Sequence, residues 1–503
     1  MSAPPADARP AGRESDADVL VLGAGVAGLA AAHRLALGGA RVTVLEADSR
    51  VGGKLLCGEI AGCAVDLGAE SMLARRPEAV DLARAVGLGD ALRPPAVFGG
   101  ALWTRGEIRP MPKGHLMGVP GDPASVAGVI SPDGLARIAE DSRLPATPLG
   151  EDVSIGEYVA QRLGPEVVDR LVEPLLGGVY AGDARRISLR ATLPQLYEAA
   201  RDEPSLLAAV RAVQRAAASA AAPEGAAAEG AATRAAGAEA PVFLGIEGGV
   251  GRLPEAVAAA VRAAGGTVRT GVAARALRRT PDGWLVECAD GARTARAVVV
   301  ALPAGSAARL LREAAPTAAA ELERVEYASM ALCTLAFRRA DLAEVPRGSG
   351  FLVPPVDGHT IKAATFSSNK WQWVADQDPG LFLLRTSVGR IGEPALLERD
   401  DDELVRLSLR DLREATGLAA RPVASLVTRW RAGLPQYPVG HLDAVGRVHR
   451  AIAELPGLAV CGAAYGGVGI PACVADGHRA ADRVAAQPGA AAGAPSAEAR
   501  MDT

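Results

Sequence analysis

Aromatic residues are scarce in this chain: among 503 residues there are 6 Phe, 5 Trp and 6 Tyr. This scarcity disfavours functions that depend on aromatic cages or on platforms for base stacking. Positive charge is not in excess either, because 54 Lys and Arg stand against 58 Asp and Glu and leave a formal net charge of -4. A nucleic-acid binder needs a basic surface that neutralises phosphates, so we expect no nucleic-acid partner.

The 6 cysteines are widely spaced and form neither a CxxC pair nor a cluster with histidine. The sequence therefore predicts no metal site and no disulfide framework. Long hydrophobic runs are also missing, since no stretch reaches about 18 uninterrupted apolar residues, and no membrane-spanning helix is expected. Residues 1–17 lack the apolar core of a secretory signal and are predicted to be disordered. The expected location is the cytoplasm, with peripheral membrane association left open.

Size and apolar content indicate a large globular protein. The chain has a mass of 51.2 kDa and 49% hydrophobic residues, which at about 150 residues per domain implies two or more domains. Strand-like apolar runs alternate with helical stretches rich in Ala and Leu, and this alternation favours an α/β fold. Residues 215–240 consist mostly of Ala, Gly and Glu and are predicted to form a disordered or loosely helical insert.

The strongest local signal lies between residues 17 and 53. An apolar strand leads into three spaced glycines, then an alanine-rich helix, then a second strand that ends at Glu46. Gly23 would allow the tight turn, Gly25 the close approach of a pyrophosphate, and Gly28 close packing of helix on strand. The phosphates would lie at the helix N-terminus, and Glu46 would accept hydrogen bonds from a ribose. The segment predicts a dinucleotide site, with NAD and FAD both open.

Two further glycine-rich segments extend this site. Gly52 and Gly53 precede Lys54, so backbone and a basic side chain could approach a phosphate. This extension resembles the FAD-dependent amine oxidases, phytoene desaturases and protoporphyrinogen oxidases, and it points to FAD. Residues 458–471 form a buried strand, a glycine-rich turn and a helix start, which offers a second helix N-terminus. The alternative for this segment is a strand, turn and helix that only close the sheet.

Four ordered segments resemble successive motifs of the protoporphyrinogen/coproporphyrinogen oxidase family of haem biosynthesis: residues 350–355, 366–371, 384–390 and 434–441. The resemblance runs from residue 18 to 484 and is greatest to the soluble bacterial coproporphyrinogen III oxidases. It implies a Rossmann-like FAD-binding domain with inserted substrate-binding and helical domains. The implied FAD-binding parts are 18–95, 241–305 and 441–486, the helical and substrate-binding parts are 96–214 and 306–440, and the tail 487–503 is predicted to be disordered.

The resemblance also implies which residues contact FAD. Lys54 stands where the family commonly has Arg, so it keeps the charge but loses the bidentate fork. Val272 lies in a strand-like run whose main chain could bind adenine, and Trp430 either contacts FAD or simply fills core. The implied contacts are Gly23, Ala24, Gly25, Val26, Ala27, Gly28, Glu46, Ala47, Gly53, Lys54, Gly68, Ala69, Glu70, Ser71, Val272, Trp430, Val468, Gly469 and Ile470.

The implied activity is oxidation of coproporphyrinogen III to coproporphyrin III by O2, with release of hydrogen peroxide. A protoporphyrinogen IX oxidase, a flavin amine oxidase and a non-enzymatic FAD-binding scaffold are the alternatives. No catalytic residue is predicted, because the flavin carries the chemistry. A transient contact with the next haem-pathway enzyme is expected, and the oligomeric state is open. Basic side chains should bind the substrate carboxylates, with Lys370 favoured among the candidates Arg75, Arg76, Lys113, Lys362 and Lys370.

Overall fold

A computed structural model of the protein describes residues 17–97, 99–221 and 241–486. The strands in these ranges are β1 Ala17–Leu22, β2 Val42–Leu45, β3 Cys57–Ile60, β4 Cys63–Asp66, β5 Met72–Leu73, β6 Leu92–Arg93, β7 Ala101–Thr104, β8 Glu107–Pro110, β9 His115–Leu116, β10 Val119–Pro120, β11 Phe243–Ile246, β12 Thr267–Arg269, β13 Ala274–Thr280, β14 Gly283–Cys288, β15 Gly291–Val300, β16 Tyr327–Arg338, β17 Gly350–Leu352, β18 Ile361–Thr365, β19 Leu381–Val388, β20 Ala424–Pro435 and β21 Leu458–Val460.

The α-helices in the same ranges are α1 Val26–Leu37, α2 Pro77–Ala85, α3 Pro132–Ala139, α4 Ile155–Leu163, α5 Pro165–Val167, α6 Glu173–Tyr180, α7 Leu189–Thr192, α8 Pro194–Asp202, α9 Leu206–Ala221, α10 Arg252–Ala263, α11 Ala304–Leu311, α12 Pro316–Glu323, α13 Ser367–Lys370, α14 Gln372–Ala375, α15 Pro394–Leu397, α16 Asp401–Thr416, α17 His441–Ala453 and α18 Ile470–Ala485. In this part of the chain no helix combines the length and apolar character that a membrane crossing requires.

The first sheet gathers strands from distant parts of the chain. Its parallel strands lie in the order β12, β2, β1, β15 and β21, with β21 paired to the end of β15. The first half of β15 pairs instead with the antiparallel strand β14, and β13 pairs with β14. Because successive side chains of a strand point to opposite faces, β1 contributes to two buried layers. Val19 and Val21 pack with α1, α10 and α18, and Leu20 and Leu22 pack with α11, α12 and α17. Helices thus cover both faces of a mostly parallel sheet, the α/β organisation that the sequence predicts.

The second large sheet has the order β20, β16, β19, β18, β17, β7 and β8. Strand β7 runs parallel to β17, with Ala101 opposite Phe351, so the sheet joins segments of the two regions predicted to bind substrate. One face of this sheet packs against α16 in an apolar cluster that includes Phe337, Leu384 and Leu404. A separate helical cluster is built by α3 to α9. The first sheet, the second sheet and the helical cluster therefore each have an apolar core.

Two predicted boundaries can be compared with the structure. Ala17 is part of β1 rather than of a disordered leader. Residues 215–221 continue helix α9, which is the helical one of the two alternatives predicted for the insert. A run of alanines has high helix propensity, so α9 extends beyond its packed part. The other residues predicted to be disordered, 1–16, 222–240 and 487–503, lie outside the described ranges.

Candidate functional site

The three glycines after β1 are required for different reasons. A Cβ on Gly23, whose φ is +103°, would lie 2.5 Å from the carbonyl oxygen of Ala301. A Cβ on Gly28 would lie 2.0 Å from the carbonyl oxygen of Gly23, so α1 can approach the strand only without a side chain there. Gly25 precedes α1 and has no atom within 4 Å of its Cβ position. The open space at this helix N-terminus fits a pyrophosphate, which backbone N–H groups and the helix dipole favour.

Glu46, directly after β2, reaches this turn. Its carboxylate accepts hydrogen bonds from the amide of Ala24 at 2.7 Å and from that of Asp48 at 2.9 Å. The amide of Val272 donates to the main-chain oxygen of Glu46 at 2.8 Å, so the residues predicted to bind ribose and adenine are neighbours. A carboxyl acceptor beside the glycine turn is suitable for a ribose hydroxyl.

Replacing Glu46 by Gln should weaken FAD binding by about tenfold to a hundredfold, because the charge that strengthens its hydrogen bonds is lost. Titration of flavin-free protein with FAD, followed by flavin fluorescence, measures the change in Kd. The matched control is Glu344→Gln, whose side chain is 73% exposed and pairs with the exposed Arg347. An unchanged Kd for Glu46→Gln would remove Glu46 from the cofactor site.

The second glycine pair lies against the first turn. Gly52 donates its amide to Ala24 at 2.8 Å and forms a parallel bridge with Gly25. A Cβ on Gly53 would lie 3.5 Å from the Cα of Gly25. Lys54 follows, but its ammonium lies 5.7 Å from the centre of the Tyr327 ring, and burial lowers its pKa. The backbone of this pair therefore extends the predicted phosphate cradle, while the Lys54 charge is directed at an aromatic ring.

The turn at Gly68 is held from three sides. A Cβ there would lie 2.2 Å from the carbonyl oxygen of Lys54, so only glycine fits. The indole N–H of Trp430 donates to the carbonyl oxygen of Leu67 at 2.8 Å. The guanidinium of Arg385 donates to the carbonyl oxygen of Gly68 at 2.8 Å. Trp430 thus both packs and fixes the main chain, and Arg385 is a residue that sequence reasoning missed; its signal was a basic residue inside an otherwise buried strand.

Glu70 sits at the centre of a buried ion cluster. Its carboxylate lies 2.5 Å from the ammonium of Lys370 and 3.0 Å from the guanidinium of Arg385. Burial alone would raise the pKa of Glu70, but the charges of Arg385 and Lys370 hold it at about 2. The favoured role of Lys370 as a ligand for substrate carboxylates is therefore unsupported, because Glu70 already neutralises it. We interpret this cluster, named here the Glu70 cluster, as a support for the Gly68 turn.

The C-terminal glycine-rich turn joins β21 to α18. Gly469 precedes α18, and its Cβ position is open apart from Pro471 at 3.9 Å. Within α18, a Cβ on Gly477 would lie 2.2 Å from the carbonyl oxygen of Ala27, so α18 packs directly on the first turn of α1. Val468 packs against the helical cluster. The start of α18 is thereby fixed relative to the predicted phosphate cradle.

The structure thus brings the predicted cofactor residues into linked contacts. Ala24 donates its amide to Glu46, and Gly25 lies against Gly52 and Gly53. Lys54 contacts Gly68, and α18 packs on Ala27. Ala47 and Ala69 are exposed, Val26 and Ser71 are half-buried, and Ile470 is buried beneath the α18 start. Their individual contacts with FAD stay predictions.

The remaining basic candidates differ in their surroundings. Arg75 and Lys113 are exposed, and Arg76 pairs with Glu78 at 2.6 Å. Lys362 is buried, with 5% of its surface exposed. Over residues 17–97, 99–221 and 241–486, no group of three or more His, Cys, Asp or Glu side chains could hold a metal ion. The six cysteines are all free thiols.

Comparisons with known proteins agree with this geometry. Residues 26–485 match the family described as flavin containing amine oxidoreductase. The chain is 34% identical over 474 residues to the coproporphyrinogen III oxidase of Mycobacterium tuberculosis, with 92% of this chain and 96% of the relative covered. The chain is 30% identical over 475 residues to the coproporphyrinogen III oxidase of Bacillus subtilis, again with 92% of this chain and 96% of the relative covered.

Solved structures show the same fold. A crystal structure from Exiguobacterium sp. 255-15, provisionally assigned as a protoporphyrinogen oxidase, superposes with a TM-score of 0.78 at 29% identity, covering 93% of this chain and 98% of the other. The cyclohexylamine oxidase of Brevibacterium oxydans superposes with a TM-score of 0.67 at 18% identity, covering 93% and 99%, which supports the fold alone.

These matches confirm the predicted resemblance, the α/β fold with a flavin-binding domain, the FAD cofactor and the oxidoreductase class. They extend over almost all of the chain, and the family match includes the C-terminal glycine-rich turn and the second large sheet. The chain belongs to the flavin containing amine oxidoreductase family and, within it, groups with the bacterial coproporphyrinogen III oxidases.

Proposed function

We propose that this protein oxidises coproporphyrinogen III to coproporphyrin III, with three O2 consumed and three H2O2 released per macrocycle. Six electrons and six protons leave the substrate in three two-electron steps. When bound, FAD supplies the redox chemistry of each step. The observation that carries the proposal is an open dinucleotide cradle in a chain that resembles proteins named coproporphyrinogen III oxidase over nearly its full length.

In this proposal the protein binds, orients and shields. The N-terminus of α1 and Gly25 bind the pyrophosphate, while Glu46 binds the ribose. Arg385 and Trp430 hold the Gly68 turn in place, so that the main chain there keeps a fixed geometry. A preorganised backbone avoids the cost of reorganisation when the cofactor and the substrate bind.

Apolar side chains beside the C-terminal turn suit a porphyrinogen macrocycle. Leu352, Tyr437 and Val468 belong to one largely buried cluster, and the Tyr437 hydroxyl donates to the main-chain oxygen of Ala463 in that turn. An apolar wall with a few polar groups is the usual surface for a large and mostly apolar ligand. It would keep water away from the reacting face.

Wild-type protein assayed under air with coproporphyrinogen III should form fluorescent porphyrin and peroxide in a one-to-three ratio. We expect kcat/KM for coproporphyrinogen III to exceed that for protoporphyrinogen IX by about tenfold or more, because added carboxylates gain charge-assisted contacts. Flavin-depleted protein is the control and should be inactive. A preference for protoporphyrinogen IX, peroxide from a polyamine alone, or no turnover would each contradict the proposed function.

The proposal includes cytoplasmic action and transient contact with the next haem-pathway enzyme. The similarity to coproporphyrinogen III oxidases supports a small-molecule porphyrinogen as the substrate. Cell fractionation tests the location, since a protein recovered only with membranes would contradict it.

A further inference from the structure

Lys362 lies at an irregularity of the second large sheet. Ile361 pairs with Val388 and Ala363 pairs with Ser387, so Lys362 has no partner on β19 and forms a β-bulge. Bulges turn a side chain out of the regular alternation and occur often beside active sites. Ile361 belongs to the apolar cluster against α16, whereas the Lys362 ammonium lies 3.9 Å from the Met330 sulfur on β16.

The ammonium of Lys362 is buried without a carboxylate partner. Only 5% of the residue is exposed, and none of the described Asp or Glu side chains lies within ion-pair distance of it. A thioether sulfur is a weak acceptor and does not compensate a buried charge. Burial and the nearby Arg390 together lower the pKa of Lys362 to about 7. The site therefore holds a cation whose environment lacks a full counter-charge.

Arg390, just beyond the end of β19, adds a second buried cation. Its side chain is 9% exposed, and it donates to the main-chain oxygen of Val353 at 3.2 Å. The acids near it neutralise it poorly. Glu393 approaches only to 3.9 Å and is 41% exposed. Glu173 is half-buried, and desolvation raises its pKa to about 7 while it accepts a hydrogen bond from the amide of Ala184.

This pair of cations lies close to the predicted flavin-binding turn. Met330, which contacts Lys362, is paired with Trp430 across β16 and β20. Trp430 in turn donates to Leu67 and lies against Gly68. Lys362 is therefore separated from the Gly68 turn by two side chains, on the side of the sheet from which Arg385 reaches that turn.

We propose that Lys362 and Arg390 form a buried cationic subsite that binds one carboxylate of the porphyrinogen substrate. The inference rests on the proposed function and goes beyond it by naming the residues that recognise the substrate's charge. Two buried cations with weak counter-charges gain most from an incoming carboxylate, because the anion replaces the hydration that both have lost. The guanidinium can bind such a group by two parallel hydrogen bonds, and the ammonium by one.

The test compares Lys362→Met with wild type, using flavin-loaded protein. Met matches the length of the lysine stem, and removing an unpaired buried charge should leave thermal stability unchanged or higher. We expect the Kd for coproporphyrin III, measured by porphyrin fluorescence quenching, to rise by about tenfold to a hundredfold. The Kd for its tetramethyl ester, measured in the same non-ionic detergent, should stay within about twofold of wild type. Lys362→Leu serves as a second variant if the methionine variant folds poorly.

Arg347→Gln is the matched control, since that side chain is 90% exposed and should bind both porphyrins as wild type does. Turnover by wild type together with an unchanged Kd for the tetra-acid in Lys362→Met would overturn the subsite while leaving the proposed function standing. Equal weakening for acid and ester would also overturn it, since a general packing defect explains that result. Wild type that neither binds coproporphyrin III nor oxidises coproporphyrinogen III would contradict the proposed function and the subsite with it.

Discussion

Replacing Gly25 by Val should yield a folded protein that purifies without bound flavin. The Cβ position of Gly25 has no neighbour within 4 Å, and its φ of -68° and ψ of 171° suit a β-branched residue. The fold should therefore tolerate the change, whereas a pyrophosphate at the start of α1 would collide with the new side chain. We expect FAD affinity to fall by more than about a hundredfold, equivalent to roughly 3 kcal/mol. The flavin absorbance of the purified protein and a titration with added FAD measure this loss.

Two other glycines provide the controls for this variant. Gly128 also has open space at its Cβ position and lies outside the predicted cofactor contacts, so Gly128→Val should keep full flavin content. Gly28→Ala should instead reduce folding yield, because its Cβ would lie 2.0 Å from the main-chain oxygen of Gly23. Full flavin occupancy in a folded Gly25→Val protein would show that the phosphate site lies elsewhere.

Replacing Glu70 by Gln should destabilise the protein by about 3–5 kcal/mol, since the Glu70 cluster would keep two buried cations without their carboxylate. The side chains of Glu70, Lys370 and Arg385 are 9%, 18% and 13% exposed, so solvent offers little compensation. Urea denaturation followed by circular dichroism, with wild type and variant side by side, measures the difference. Glu344→Gln on the surface should change stability by less than about 0.5 kcal/mol. A wild-type urea midpoint for Glu70→Gln would contradict the role of the cluster.

The same pair of proteins should show a defined pH dependence. The pKa of Glu70 is lowered from 4.5 to about 2 in the folded state, so its stabilisation is complete above pH 4.5 and is lost as pH falls toward 2. Gln does not titrate in this range. The stability gap between wild type and Glu70→Gln should therefore be constant near neutral pH and should narrow below pH 4.5.

Local patterns predicted much of the cofactor site. The roles of Gly23, Gly25 and Gly28 follow from the spacing of a strand, a turn and a helix, which are adjacent in sequence, and the structure gives each glycine a matching environment. Ion pairs between distant segments could not be read in the same way. Lys370 pairs with Glu70, which lies 300 positions away in the sequence. From the sequence alone, this lysine inside a family-like motif could not be distinguished from a lysine without an ion-pair partner.

Arg385 and Lys362 illustrate a second limit. Arg385 acts through the main chain of Gly68, and no side-chain motif records such a contact. Lys362 was one of five basic candidates, and what separates it from the others is a bulge that depends on the register of β18 against β19. Strand register is set by tertiary pairing and turn geometry, which single-sequence periodicity does not specify.

The strands of the first sheet are far apart in the sequence, and this separation affects how fast the sheet folds. Helix α1 and its glycine turn are made early in synthesis, yet α1 packs on α18 near the end of the chain. Strand β15, from the middle of the chain, pairs with β1 on one side and with β21 on the other. Contacts of such long sequence separation form late and slow the folding of a domain. Until residues near 458–485 have left the ribosome, the first turn of α1 has no α18 to pack against. Cofactor capture would then follow chain completion, and nascent chains would depend on protection of their exposed apolar strands in the meantime.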